Sequence, residues 1–405
     1  MEPIKIAFVG TGFAAKIHAT AYKQIPNVDV KIVAVSSRKK ENVKKFCEEM
    51  KIGPELITTD SFDMIRSMNA DIIDICTPTH THSEYAIEAA KAGKNIICEK
   101  PLTGFFGDTS IPVEDRQDVG NVDKLIMLEE VLKECEKIKQ VIEKHQVIFG
   151  YAENWVYAPP ISKIKSLLQA ARGKILEIRC GESHSGSHSK FAAEWKYTGG
   201  GALIRMGSHP IGASLHLKQW EGIIRDGHPI LPHSIIATTT KNRELLDNLP
   251  PEQDCIQSRP KDVEDWSTGI LKFEDNTTAV IVASDVTLGG IENWLNIYGS
   301  NTRIEAKISN NNTVMAYAPT EKQFKDAYTI EKAETQAGWS YAQPSEDWMT
   351  GYPFEMADFV RSVIVKTQPL SNLDLAINTT KVIYAAYLSS ESGKRIHIPK
   401  NFTYS

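Results

Sequence analysis

The feature that most constrains the fold lies at the start of the chain. The apolar run Ile4–Val9 stops at Gly10-Thr11-Gly12, and a helical pattern opens at once with Phe13-Ala14-Ala15. Gly10 supplies the tight turn, and Gly12 lets another backbone or a ligand come close. Ala15 stands where a third small residue lets helix pack on strand. The first amides of such a helix, aided by its dipole, form a site for the pyrophosphate of a dinucleotide. Gly10, Thr11, Gly12, Phe13 and Ala14 are therefore expected to hold one.

The rest of the N-terminal third repeats the strand-then-helix pattern. Further strand-like runs are Val30–Ser36, Asp71–Cys76, Asn95–Cys98 and Gln146–Phe149. Helical periodicity fills Ala14–Gln24, Lys39–Met50, Ser83–Ala92 and Leu125–Lys144 between them. Such alternation implies a parallel sheet covered on both faces, an α/β Rossmann domain over 1–149. The segment Thr103–Asp123 has little periodicity and reads as an inserted loop, either a flap over the site or a surface excursion. From 150 the pattern changes. Helices are expected over Ser162–Ala171, after Gly199-Gly200-Gly201, at Met356–Val365 and at Leu375–Ser390. Strands are expected at Ile175–Cys180, Ile235–Thr240, Trp266–Phe273, Thr278–Val286, Trp294–Tyr298 and Arg303–Ile308, with a hairpin at Asp275-Asn276. Residues 150–405 thus read as an α+β domain on a large, mainly antiparallel sheet.

Composition narrows the partners. Over 405 residues the net charge is -5, which argues against a nucleic-acid protein held by bulk charge. No apolar run reaches membrane-spanning length, and no basic segment precedes a signal-type core. The six cysteines are scattered without a CxxC pair, as expected of thiols in a reducing, cytoplasmic compartment.

Two more motifs sit at strand ends, where ligands bind in open parallel sheets. Asp74-Ile75-Cys76-Thr77-Pro78-Thr79-His80-Thr81-His82 leaves the middle strand, and Asn95-Ile96-Ile97-Cys98-Glu99-Lys100-Pro101 leaves the next. With Gly10–Ala15, with Tyr151-Ala152-Glu153-Asn154-Trp155, and with the glycine triplet that leads to His209, these resemble the marks of Gfo/Idh/MocA oxidoreductases. The resemblance implies a Rossmann domain, NAD or NADP as cofactor, and sugars, cyclitols or related polyols as substrates. It implies a homodimer or homotetramer formed through the open face of the second sheet. It places Thr77, Pro78, His82, Glu99 and Lys100 at the cofactor. Lys100 and His209 become the proton-handling groups, and Lys100-Pro101 a candidate cis peptide. Substrate contacts are expected from Lys100, Asn154, His184, His188, Arg205 and His209; no metal is expected. Two other functions occur in the family: redox-assisted glycoside hydrolysis and ligand sensing without catalysis. Retention of Lys100 and His209 argues against a pure sensor.

Departures from the family pattern shape the remaining expectations. Arg205 stands where the family has an Asp four residues before the His, which removes an acidic partner from His209. At that spacing Arg205 and His209 would share a helix face. A guanidinium facing the substrate would need a counter-charge, either an anionic group on the substrate or an internal carboxylate from Glu153, Glu182 or Glu194. Lys190 or Lys196 could assist an anion. Val156 replaces a common Arg. The second strand ends in Ser36-Ser37-Arg38-Lys39 with no acid to hold a ribose 2′-OH. Ser37 and Arg38 suit a 2′-phosphate, so NADP is expected ahead of NAD. His184 and His188 lie in a Gly- and Ser-rich stretch that reads as a polar substrate-side loop. Trp195, Trp266 and Trp294 are either core or sugar-stacking residues.

Overall fold

A computed structural model describes residues 2–187, 189–309, 314–329, 331–342 and 345–404. The first sheet contains β1 (Ile4–Val9), β2 (Val30–Ser36), β3 (Leu56–Thr58), β4 (Ile72–Ile75), β5 (Asn95–Glu99) and β6 (Phe149–Ala152). All pairings are parallel and the order is β3-β2-β1-β4-β5-β6. The order reverses between β1 and β4, and that switch point opens a crevice at the carboxyl ends of the strands. Helices α1 (Phe13–Tyr22), α2 (Lys40–Met50), α3 (Ser61–Ser67), α4 (His82–Lys91) and α5 (Lys124–His145) join them.

In this domain the sequence pattern does not announce β3, with three residues, or α3, with seven. Both are shorter than a periodicity can register. The strand expected at Gln146–Phe149 lies three residues later. Gln146 instead takes left-handed φ of 53° and caps α5. The strand therefore straddles the expected 149/150 boundary.

The second sheet is mixed and mostly antiparallel, in the order β12-β11-β7-β10-β9-β8-β15. Its strands are β7 (Ile175–Ser183), β8 (Pro232–Thr240), β9 (Trp266–Phe273), β10 (Thr278–Ser284), β11 (Glu292–Gly299), β12 (Arg303–Lys307) and β15 (Ile396–His397). Only β7 and β10 pair in parallel. A separate hairpin joins β13 (Met315–Ala318) and β14 (Gly338–Tyr341). The remaining helices are α6 (Pro159–Ala171), α7 (Trp195–Thr198), α8 (Ala202–Arg205), α9 (Ser208–Asp226), α10 (Glu346–Thr350), α11 (Tyr352–Val365) and α12 (Leu373–Ser392). Helix α12 packs on α5 and β6 of the first layer and on α9 and β8 of the second, so it fastens the two sheets together. Its Tyr384, fully buried, accepts a hydrogen bond from Phe105 N–H and donates one to Gly199 O, both 2.7 Å.

The inserted segment 103–123 is packed at its two ends and anchored between them, while most of 108–118 is exposed. Thr103 and Phe106 are buried, and a Cβ on Gly104 would meet Gly199 Cα at 3.0 Å. Gly120 N–H donates to Asp262 Oδ2 at 3.0 Å. Buried Lys196 donates to Glu114 O at 2.9 Å and Arg116 O at 3.2 Å. The segment is a strap laid onto the second half of the chain, and Lys196 is committed to it rather than to a substrate anion. Trp195 is buried, its ring 4.8 Å from that of Tyr387, and serves as core.

Candidate active site

The crevice is built from the turns that follow β1, β2, β4 and β5. Gly10 has φ of +105°, and a Cβ there would lie 2.3 Å from Cys76 O, so only glycine lets β1 and β4 close at the turn. Gly12 begins α1 with no side chain capping the helix and no atom within 4 Å of where its Cβ would be. The first turn of α1 carries no acid, and Phe13 is 64% exposed. Uncapped amides, open space and a helix dipole fit the phosphates of a dinucleotide. Beyond β2, Ser37 is half-buried with its N–H on Thr58 O, and exposed Arg38 stands 5.6 Å over the Phe191 ring.

At the end of β4, Thr77 and Pro78 are half-buried, and Thr81 Oγ1 bonds Thr77 Oγ1 at 2.7 Å and Pro78 O at 2.9 Å. His82 and Glu99, expected at the cofactor, both have partners within the fold. The His82 ring is buried, and its two nitrogens lie 2.8 Å from Pro101 O and Thr77 O, tying two turns together. Burial depresses its pKa. Glu99 is buried too. Its Oε2 accepts the Lys100 N–H at 2.9 Å, and its Oε1 lies 3.2 Å from His18 Nε2. Both residues spend their polar atoms on holding the turn that carries Lys100. The Lys100-Pro101 bond is cis, as expected.

The second half closes over this edge. Lys100 Nζ donates to Arg205 O at 2.8 Å, which sets the ammonium beside the start of α9. His209, in the first turn of α9, is buried with its ring stacked on Trp155 at 5.8 Å and 12°. Its Nδ1 lies 2.6 Å from Glu153 Oε1, and its Nε2 lies 3.8 Å from Glu182 Oε2. Glu153 is fully buried just past β6. His209 therefore has an acidic partner after all, supplied 56 residues away rather than four.

Arg205 and His209 do not share a helix face, because the helix breaks between Arg205 and Ser208. The Arg205 guanidinium pairs with Asp285, which is buried just past β10. The direct counter-charge is thus internal and comes from Asp285, with Glu182, one of the three glutamates expected, acting only at longer range. This removes the electrostatic reason for an anionic substrate. His184 Nδ1 lies 3.2 Å from Asp285 Oδ1 and accepts the Gly186 N–H at 3.0 Å. His188 lies outside the described residues. Asn154 is buried and donates to Thr350 O at 2.8 Å, so its amide is used inside the fold rather than toward a substrate. One cation was missed: Lys332, whose pKa burial holds down to about 8 and whose charge interacts with those of Glu182, Arg205 and Lys100.

Comparisons with known proteins agree with this arrangement. The description "Oxidoreductase family, NAD-binding Rossmann fold" of Gfo/Idh/MocA matches residues 4–117, and the Gfo/Idh/MocA C-terminal domain matches 161–305. Levoglucosan dehydrogenase of Pseudarthrobacter phenanthrenivorans is 25% identical over 76% of this chain and 72% of its own length. Myo-inositol 2-dehydrogenase of Thermotoga maritima is 33% identical, but over only 28% of this chain and 32% of its own. Among solved structures, GenD2 from gentamicin A biosynthesis in complex with NAD superposes with a TM-score of 0.76 at 20% identity, covering 98% of this chain and 97% of GenD2. Myo-inositol 2-dehydrogenase of Lactobacillus plantarum gives 0.70 at 24% identity, covering 98% of this chain and all of that one. At such identities the structures speak for the fold alone, while the family matches span most of both halves. The chain belongs to the Gfo/Idh/MocA family of NAD-binding oxidoreductases.

Proposed function

We propose that the protein is an NAD(P)-dependent dehydrogenase that oxidises a secondary hydroxyl of a neutral cyclic polyol or anhydrosugar. The observation that carries this reading is the His209–Glu153 pair beside Lys100 at the carboxyl edge of the parallel sheet. Glu153 takes the Nδ1–H, which leaves the Nε2 lone pair directed away from it as the base for a hydroxyl proton. Trp155 fixes the plane of the ring. Lys100 spends one ammonium proton on Arg205 O and keeps two to steady the oxygen as it becomes an alkoxide. When bound, the nicotinamide accepts the hydride released from the carbinol carbon. Gly10 through Ala14 would hold its pyrophosphate.

Neutral substrates fit better than acidic ones. Arg205 is already paired with Asp285 and Glu153 with His209, and Glu182 stands near Lys332, so a substrate needs no charge of its own to balance the site. Carboxylates accept hydrogen bonds from sugar hydroxyls. Levoglucosan and inositol, named for the relatives above, are cyclic polyols of this kind. Exposed Arg38 and the missing acid after β2 support NADP over NAD. Leu176, Ile236 and Ile270 are exposed on strands of the second sheet and support a homo-oligomer through that face. The six free cysteines support the expectation of a reducing compartment.

The test is a panel of levoglucosan, myo-inositol, glucose, methyl glucosides and the matching uronic acids, each with NAD⁺ and NADP⁺. Absorbance reports reduced cofactor, and aglycone release is followed in parallel. Reduction by neutral members, strongest with NADP⁺, is expected. Reduction by uronic acids alone, or aglycone release without net reduction, would overturn it.

A further inference from the structure

Beneath the crevice lies a buried group of charges that the chemistry above does not use. His18, on the inward face of α1, is fully buried. Its Nδ1 lies 3.0 and 3.1 Å from the two oxygens of Asp74 and 3.4 Å from Cys76 Sγ. Its Nε2 lies 3.2 Å from Glu99 Oε1. Tyr22, also on α1, donates to Asp74 Oδ2 at 2.7 Å. Asp74 is fully buried and Glu99 nearly so. Two carboxylates this deep would be costly without a cation, and Lys100 points away to Arg205 O.

His18 is the group placed to supply that charge. Burial works against protonation, but Cys76 and Asp74 more than offset it, and the pKa of His18 rises well above its ordinary value. Burial pushes the Cys76 thiol up as well, and Asp74 and Glu99, the latter from β5, are the carboxylates that face the ring. The other groups facing the ring are Glu355 and Tyr352 from α11. Glu355 is fully buried and its pKa is pushed up, mainly by burial, which favours its uncharged form beside the imidazolium.

We propose that His18 is a positioning residue for Lys100: as an imidazolium it clamps Glu99 between α1 and β5, and Glu99 holds the Lys100 backbone so that the ammonium reaches the start of α9. The geometry is continuous from His18 Nε2 through Glu99 Oε1 and Oε2 to Lys100 N, with Lys100 Nζ on Arg205 O at the far end. Helix α1 is also the helix whose N-terminus faces the cofactor phosphates, so one element seats the cofactor and aims the ammonium. The inference rests on Lys100 acting at the substrate, and the tests below separate the two.

The first measurement needs no substrate. The ¹⁵N and ¹³Cε1 resonances of the His18 imidazole, assigned with His18→Gln, are followed from pH 6 to 9 in the wild type. The clamp requires the imidazolium signature throughout. A neutral ring at pH 7 overturns it. The second compares Glu99→Gln with the wild type, using the panel polyol that turns over fastest. The amide oxygen introduced by that substitution can still accept the Lys100 N–H, but the carboxylate that the imidazolium grips is gone, while Asp74 still faces the ring. The expected result is a kcat at least tenfold lower, with KM and cofactor Kd within twofold, and a His18 ring that stays charged beside Asp74. Unchanged kcat overturns the proposal. So does a loss of activity that only follows the folded fraction, which would make the network structural. Lys100→Met is the separate control. If that variant retains turnover, the Lys100 reading fails and the clamp has no catalytic consequence.

Discussion

Glu355 gives the sharpest physical prediction because its environment is so one-sided. Both carboxylate oxygens are buried with no hydrogen-bond partner among the described residues. Burial raises its pKa well above 4.5, and Glu99, Glu153 and Asp74 push the same way against His18. A carboxyl whose folded pKa is raised contributes its full stability below pH 4.5. That contribution is lost as pH climbs toward the folded pKa, because the unfolded chain ionises first. The loss is about 1.4 kcal/mol for each pH unit over which Glu355 stays protonated. At about 2.1 cal/mol/K per residue, a chain of 405 residues has an unfolding entropy near 0.85 kcal/mol/K. Each pH unit should then lower Tm by roughly 1.6 °C.

The total profile will not isolate this. His80 and His216, with pKa values depressed by burial to about 4 and about 3, gain stability with rising pH in the same range. His18 adds its own loss only above pH 6.5. The difference between wild type and Glu355→Gln does isolate it. Measured by scanning calorimetry from pH 4.5 to 6.5, that difference should move steadily in favour of the variant as pH rises. The variant starts lower, by about 1 kcal/mol for an unmatched amide N–H. Parallel profiles would mean that Glu355 is ionised in the folded protein and that the charge balance around His18 is wrong.

Other perturbations follow from single contacts. Arg205→Met strands buried Asp285 and should cost about 3–5 kcal/mol, seen as a lower Tm, with no selective rise in KM for acidic sugars. Ser37→Asp should weaken NADP at least tenfold and improve NAD, as read by fluorescence titration. Gly10→Ala should lose cofactor binding, since the new Cβ falls 2.3 Å from Cys76 O at a φ that disfavours alanine; retained affinity by titration calorimetry would refute this.

Most of the fold was legible because its signals are local. The Gly10–Ala15 turn, the strand-and-helix alternation and the α5 stripe at Leu128, Leu132, Cys135, Ile138 and Ile142 each lie within one window of sequence, although Leu125, which the same spacing puts in the stripe, is exposed. Lys100 and His209 were singled out through motifs of the same kind. What was missed depends on distant strand ends meeting. Glu153 reaches His209 across 56 residues and Asp285 reaches Arg205 across 80, and no periodicity carries such pairings. With Arg205 in place of an acid before His209, the acidic partner of His209 was hidden, because its carboxylate, Glu153, arrives from just past β6. The strap at 103–123 was unreadable for a related reason. Its order comes from Tyr384, Lys196 and Asp262, all from the other half of the chain.

The most direct test of the account is single-turnover hydride transfer to NAD(P)⁺ from the best panel polyol, in wild type, Glu153→Gln and His209→Ala. His209→Ala should slow the step by about a hundredfold or more, as loss of a general base does. Glu153→Gln should slow it by about tenfold or more, with cofactor Kd unchanged, because the amide no longer selects the Nδ1–H tautomer. Full-rate hydride transfer in either variant would contradict the assignment of His209 and Glu153 as the proton-accepting pair.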